Sequence, residues 1–326
     1  MKKKILIVTN KLSSNAGADE LDVLEQAELV GSSCVKLGYE VARMEMGLNL
    51  ETAIDQIRNA QPEILFNLVE SLDNKGEFAF IAPSIFSSLG IPYSGSPVTP
   101  MFLTSNKVLA KRELVRLKLP TPQWVSVNET TSLDPDTHYI LKPIWEEGSL
   151  DLDESSVFEG KDERMKEVAK SKSKAHYFIE EYIEGREFNI SILAGSNGPE
   201  VLPPAEMEFR DFPAGKPKIL GYQSKWDEQS FEYSHTSRTF QAREKDKALH
   251  TRLVGLCEAC WSGFGLKGYA RIDFRVTEDG IPLIIDINAN PCLSLSGGFA
   301  AALDQAGYSF TEAVRRILED AVGSRQ

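Results

Sequence analysis

The segment RIDFRVTEDGIPLIIDINANP, residues 271–291, constrains this chain more than any other stretch. Asp279-Gly280 is a strong hairpin signal, because the favoured two-residue turn needs positive φ at both central positions. Pairing Glu278 with Ile281 across that turn sets the register behind it, placing Asp273 opposite Asp286 and Arg271 opposite Asn288. Side chains alternate faces along a strand. These four polar residues therefore share one face, while Ile272, Phe274, Val276, Leu283, Ile285 and Ile287 make the other and enter a core. Two carboxylates directly opposite each other repel, so something positive must offset them. Arg271 and Arg275 can do so as a plain ion-pair network. Alternatively Asp273, Asp286 and Asn288 hold Mg²⁺, which takes hard oxygen ligands and typically bridges carboxylates to phosphates.

At 326 residues the chain has room for two or three modest domains with real cores. A composition of 42% hydrophobic and 26% charged residues is ordinary for a soluble globular protein. The net charge of -12 offers no basic excess to displace phosphate counterions, which argues against a nucleic-acid partner. In the opening MKKKILIVTN only Ile5–Val8 is strongly apolar, too short for a signal-peptide core and better suited to a buried first strand. No run approaches the length of a membrane span, so no membrane partner is expected and the cytoplasm is the default location. Cys257 and Cys260 form a single C-x-x-C within a helical pattern of Leu253, Leu256 and Trp261, which fits small core residues better than zinc. The four histidines, His138, His176, His235 and His250, show no ligand-like spacing.

Along the first third, short strands alternate with helices: strands at Ile5–Val8, Tyr39–Met46 and 63–69, helices near Glu20–Leu37, Leu50–Asn59 and Glu77–Leu89. Such alternation implies a parallel sheet with helices on both faces. The G-x-G-x-x-G that dinucleotide binding would want after the first strand is missing from TNKLSSNAGAD. Turn-rich GIPYSGSP at 90–97 exits this region, and Thr104 or Ser105 then caps a helix running to about Leu117. Strands HYILKP (138–143) and HYFIEEYI (176–183) follow, with a polar helix near 161–172 between them; from residue 187 strands dominate until a helix at about 242–262. Ser309 and Glu312 make a capping box for the last helix. The expected fold class is α/β and α+β, divided into an N-terminal parallel-sheet domain (1–97), a central subdomain (98–183) and a C-terminal subdomain (184–326).

Phosphate chemistry has its own signals. Lys142 ends a strand before the loop PIWEEGSLDLDESS, where an ammonium can meet a phosphate while the amides and hydroxyls of Gly148 and Ser149 close over it. In FIEEYIEGREFNI, alternation puts Glu180 and Tyr182 on one face and Glu181 and Ile183 on the other before a turn at Gly185. Polar groups at such a strand-to-turn junction can read an adenine edge and a ribose.

Taken in order, SNKVLAKRELVRLKLPTP, YILKPIWEEGS, FIEEYIEGREFNISIL and RIDFRV…IIDINANP resemble the ATP-grasp carboxylate–amine ligases, and among them the D-alanine–D-alanine ligase family. The resemblance runs from about Ile5 to Leu318 and implies an ATP-grasp fold preceded by a parallel-sheet α/β domain. It implies that Lys107, Lys142 and Lys225 contact ATP phosphates, that Glu180, Glu181 and the backbone of Ile183 take the adenine, and that Glu187 takes the ribose. By the same resemblance Asp273, Asp286 and Asn288 hold two Mg²⁺ ions, with Mn²⁺ as an alternative. Arg271 would stabilise phosphate and oxyanion, and Ser149 would be a further contact from a closing loop. The implied reaction joins a carboxylate to an amine through an acyl phosphate. Its partners are small amino-acid or peptide substrates, and a homodimer is compatible with the family.

Departures from the family pattern cluster away from the nucleotide. Gly-Gly-x-Ser-x-Glu after the first strand is replaced by NKLSSNAGADELD, with Glu20 or Asp22 as substitutes for the amine-anchoring glutamate. LFNLVES lacks the family's His-Gly, Cys292 stands where a glycine is usual, and Trp226 where a tyrosine is. The serine for the second substrate's carboxylate aligns near Gly297, with Ser294 and Ser296 close by, and Asp286 replaces a longer glutamate. The sequence thus points to conserved ATP chemistry with a changed substrate, ahead of three alternatives: a genuine D-alanine–D-alanine ligase, an ATP-grasp kinase and a nucleotide binder without turnover.

Overall fold

The computed structural model of the chain describes residues 2–13, 16–145, 152–241, 244 and 246–323. The apolar run at the start forms β1 (Lys4–Asn10), whose residues Ile5–Val8 are buried on both faces, as the central strand of a parallel sheet requires. It is flanked by β2 (Glu40–Met46) and β3 (Ile64–Leu68), both parallel to it, in the order β2-β1-β3. Helices Ala18–Lys36 and Leu50–Ala60 are the crossovers. The core on one side of this sheet is completed by the far end of the chain: Val23, Val30 and Phe66 pack in one cluster with Phe299, Val314 and Leu318.

The second sheet is antiparallel, with β4 (Trp124–Ser126), β5 (His138–Pro143), β6 (Val157–Glu159) and β7 (Tyr177–Glu181) in the order β4-β7-β5-β6. Helix Glu163–Ser171 covers one face, where Leu141, Phe158, Ala169 and Ile179 form a small core. The other face carries Ile140, Lys142 and Glu180 and lines a cleft.

The third sheet holds β8 (Arg186–Leu193), β9 (Glu200–Val201), β10 (Ala205–Phe209), β11 (Thr236–Thr239), β12 (Tyr269–Val276) and β13 (Pro282–Asn288). Its order is β11-β10-β8-β12-β13, with β9 paired to β8. Helix Lys247–Phe264 lies over its apolar face, capped by Asp246, whose side chain accepts from Leu249 N–H at 3.0 Å. Gly265, at φ 70°, ends that helix in the left-handed conformation. Cys257 and Cys260 are fully buried in this core, and burial pushes the Cys260 thiol up to about 12. Among the described residues no helix is long and apolar enough to cross a membrane.

Two local expectations need correction. The hairpin loop is three residues, not two: Thr277 N–H donates to Ile281 O at 3.0 Å, and Gly280 takes φ 76°, the left-handed position such loops require. This moves every pair near the turn by one, so that Val276 faces Pro282 and Phe274 faces Ile284. A β-bulge on β13 then restores the register, and Asp273 faces Asp286 and Arg271 faces Asn288. Ile284 consequently enters the core, Leu283 stays half-buried, and Ile285 turns beside Asp286 into the cleft. The second correction concerns the helix cap. Thr104 and Ser105 end one helix (Val98–Ser105), and Asn106 caps the next (Lys107–Arg116), its Oδ1 accepting from Leu109 N–H at 2.8 Å. At the last helix, Ser309 Oγ does accept from Glu312 N–H at 3.1 Å, but the Glu312 carboxylate binds Arg315 rather than completing a box.

Candidate active site

Between the second and third sheets lies a cleft whose walls come from β5, β7, β12, β13 and the start of helix Lys107–Arg116. Lys107 is the first residue of that helix. Its backbone N–H donates to Ile144 O at 3.0 Å, and its ammonium sits 3.2 Å from Asp286. Burial raises the Asp286 carboxyl, but Lys107 and Arg271 outweigh it and hold the group below its ordinary value. Arg271 makes two parallel bonds to Asp273, at 2.8 and 2.9 Å. The opposed aspartates are thus each offset by a cation, and both lie on the cleft side of the hairpin with Lys225. Burial, then repulsion from Arg271, lowers the Lys225 ammonium.

On the opposite wall, Lys142 and Glu180 project from neighbouring strands and form an ion pair. Glu180, 1% exposed, also pairs with Lys111, which sits one turn beyond Lys107 and is 2% exposed. The opposing effects on Glu180 are burial, which raises it, and the two lysines, which prevail and lower it. Lys111 further donates to Thr121 Oγ1 at 2.9 Å and faces the Trp124 ring at 5.8 Å. Sequence reasoning gave Lys111 no role; the i, i+4 spacing from Lys107 was the signal.

Alternation fails at the end of β7, because the strand stops at Glu181: Glu181, Tyr182 and Ile183 all line the cleft together with Glu180. Among the described residues neither backbone group of Ile183 has a partner, which leaves both able to meet a planar heterocycle. Glu187, from β8, is buried against Arg275 at 2.9 Å; burial raises its carboxyl despite that arginine. Arg275 also faces the Tyr182 ring at 5.5 Å, so it holds the cleft's floor rather than neutralising the aspartates. Of the sequence-expected residues, Lys107, Lys142, Glu180, Glu181, Ile183, Glu187, Lys225, Arg271, Asp273 and Asp286 all line this one cleft. Ser149 lies outside the described residues.

Asn288 faces a second, larger cavity of about 780 Å³, joined to the cleft through Leu220, Lys225 and Arg271. Its Oδ1 accepts from Asn290 N–H at 2.8 Å. This cavity collects the departures from the family pattern. Glu20 accepts from Ser13 N–H and Oγ–H, each at 3.3 Å, and from Asn74 at 3.4 Å. Gln26, buried beneath, donates to both Asp22 and Glu70 at 3.0 Å and accepts from Leu293 N–H at 2.9 Å. Cys292 donates its thiol proton to Asp22 at 2.8 Å; burial, then Glu70 and Asp22, pushes the thiol well up and keeps it neutral. The loop after β13 is thereby fastened to the first layer, with Trp226, Ser294, Ser296 and Gly297 also on the cavity wall.

Asp273, Asp286 and Asn288 offer oxygen donors only, the set that suits Mg²⁺, and the bulge brings the two carboxylates to one face. The backbone as a whole matches a crystal structure of the D-alanine–D-alanine ligase from Bacillus anthracis complexed with ATP, with a TM-score of 0.72 and 21% identity over 99% of this chain and 98% of that one. In sequence, the D-alanine–D-alanine ligase of Pelagibacter ubique is 24% identical over 98% of this chain and 99% of its own length. A protein of Sinorhizobium fredii described only as "Uncharacterized protein y4sG" is 26% identical over 90% of this chain and 86% of its own. The family model described as D-ala D-ala ligase C-terminus matches residues 140–319, more than half of the chain and all six strands of the third sheet, and the chain belongs to the D-alanine–D-alanine ligase family of ATP-grasp ligases.

Proposed function

We propose that this protein uses ATP to activate a substrate carboxylate as an acyl phosphate, which an amine then attacks to form an amide bond. One observation carries this: four cations, Lys107, Lys142, Lys225 and Arg271, meet two opposed aspartates in one cleft beside an unpartnered backbone segment at Ile183. Lys107, at the start of a helix, and Lys142, on β5, both line the cleft and suit the β- and γ-phosphates, while Lys225 and Arg271 stand where the cleft opens into the larger cavity. Glu181 and the Ile183 backbone suit the adenine edge and Glu187 the ribose hydroxyls. Glu180 has both carboxylate oxygens on lysines, Oε1 on Lys111 and Oε2 on Lys142, so its main effect is to orient Lys142.

Asp273, Asp286 and Asn288 would hold Mg²⁺, which when bound neutralises phosphate charge and supports transfer. The chain's own residues supply position and charge. Arg271, at the junction of cleft and cavity, faces the point where the acyl carbon and the departing phosphate must lie, and its guanidinium can steady the developing oxyanion. The carboxylate and amine substrates, small amino acids or peptides, occupy the cavity side, and no nucleophilic side chain is needed. Ser149, which follows β5 in sequence, is proposed as a further phosphate contact.

The test is ADP release from the purified protein with ATP and Mg²⁺ across a panel of amino acids and dipeptides, with mass spectrometry of the product. A ligase needs both a carboxylate and an amine for full turnover. ADP release with a single acceptor and a phosphorylated product would instead mark a kinase, and no release with any substrate a nucleotide binder.

A further inference from the structure

Among the described residues the large cavity contains a cation that no carboxylate answers. Arg238, on β11 opposite Met207, is exposed to the cavity, and among the described residues it has no hydrogen bond or ion pair. Burial of its stem side, then repulsion from Arg271, lowers its guanidinium, which stays cationic because arginine starts so high. One guanidinium nitrogen lies 3.7 Å from where a Cβ on Gly298 would be, so the guanidinium rests over that glycine at ordinary contact distance. A neighbouring hydroxyl supports this: among the described residues Thr236 Oγ1, on the same face of β11 as Arg238, is buried and unpartnered, and Thr236 lines the same cavity. Buried hydroxyls without partners are costly unless a ligand completes them.

An unanswered cation beside an orphaned hydroxyl calls for an anion, and the surroundings narrow which one. Arg238 does not line the cleft with Lys107 and Lys142, so nucleotide phosphates do not reach it. The far wall carries Glu20, Asp22 and Glu70, together with buried Asn10, whose Oδ1 also lacks a partner. That wall repels carboxylates and accepts from ammonium groups, leaving the Arg238 end as the place for an anion. The site where the family's carboxylate-binding serine aligns is Gly297, adjoining the glycine that Arg238 overlies.

Resting on the ligase assignment above, we propose that Arg238 binds the carboxylate of the amine substrate, with Thr236, on the same face of β11, as a supporting donor. The amine substrate is then an amino acid or peptide with a free carboxylate, not a simple amine. A planar guanidinium matches a carboxylate in a two-point contact that the family's serine cannot make.

The test compares the common L- and D-amino acids with their carboxamides as acceptors, with hydroxylamine as an acceptor that has no carboxylate, following ADP release in wild type, Arg238→Lys and Arg238→Gln. The expected result is a wild-type preference for the best amino acid over its carboxamide of at least about tenfold in kcat/KM, carried by KM. That preference should shrink toward unity in Arg238→Gln and recover in part in Arg238→Lys. Equal use of amino acid and carboxamide by wild type, or a preference that survives in Arg238→Gln, overturns the role of Arg238 and leaves the ligase assignment standing. ADP release with neither hydroxylamine nor any amino acid overturns both. Retained melting temperatures in the two variants establish that the changes are local.

Discussion

Asp273 and Asp286 face each other across β12 and β13, and each is held by a cation from a different origin: Arg271 from the same strand as Asp273, Lys107 from a helix start 179 residues before Asp286. The first pairing is local and fixed by the hairpin. The second ties the helix start to β13. A phosphate entering between them would meet Lys107 and Arg271, freeing the aspartates for a cation. The repelling pair thus makes sense as a site whose charges exchange partners on loading.

Asp286→Asn separates this account from a merely structural network. The substitution keeps shape and removes one negative charge, so Mg²⁺-dependent ADP release should fall by about a hundredfold or more. The melting temperature should move by only a few degrees, roughly 1 kcal/mol for a domain this size. Gained stability with full activity would show that the two aspartates only repel each other.

Lys142→Ala should weaken ATP binding by about ten- to a hundredfold, because a charge-assisted contact to phosphate contributes roughly 1.5–3 kcal/mol. Isothermal calorimetry with ATP reads this directly. Unchanged affinity would remove Lys142 from the nucleotide site.

The buried Lys111–Glu180 pair predicts a stability effect with a definite pH dependence. Glu180 is held below its ordinary value when folded, so its contribution is complete above the unfolded carboxylate value of about 4.3 and is lost as pH falls through the folded value. Glu180→Gln should therefore be less stable than wild type at pH 7 by about 3 kcal/mol, the cost of leaving two buried lysines without their acid. The gap should narrow progressively below about pH 4. Urea midpoints at pH 7 and pH 3 check it; a gap that stays constant would mean that Glu180 contributes by shape alone.

Legibility in the sequence followed the range of the interactions. The parallel layer was readable because Ile5–Val8 is uniformly apolar, and the pairing of Asp273 with Asp286 was predicted correctly for an incomplete reason. A two-residue turn and an unbroken strand give the same register as a three-residue turn followed by a bulge, since the two one-residue shifts cancel. What alternation could not reveal was the consequence for Ile284 and Ile285, which exchange the places assigned to them. Lys111 was invisible for another reason: a lysine in a polar helix reads as solvated, and only Glu180, some 70 residues later, makes it internal. Arg238 sits in a stretch with no family motif at all, and its meaning comes from the hydroxyl and glycine beside it.

D-Alanine as the sole amino acid should give little or no Mg²⁺-dependent ADP release, even at high concentration. A small zwitterion in a closed site needs its amine and its carboxylate each fixed by a specific group, and one missing partner costs roughly 2–5 kcal/mol, a thirtyfold to several-thousandfold penalty. The acidic groups on the cavity wall are each engaged within the protein. Glu20 is held by Ser13 and Asn74, Asp22 is tied to Gln26 and Cys292, and Glu70 shares Gln26, so the acidic wall carries three carboxylates around a cavity of about 780 Å³. A cavity that size lies toward the upper end of those that enclose drug-sized ligands, far more than an alanine side chain fills. On the proposal above, Arg238 would take the carboxylate in place of the family's serine. Steady-state ADP release with D-alanine from 1 to about 100 mM, the upper range of ordinary KM values and beyond, decides it. Robust formation of D-alanyl-D-alanine by the purified protein would sink the prediction and make this chain a D-alanine–D-alanine ligase with a rearranged pocket.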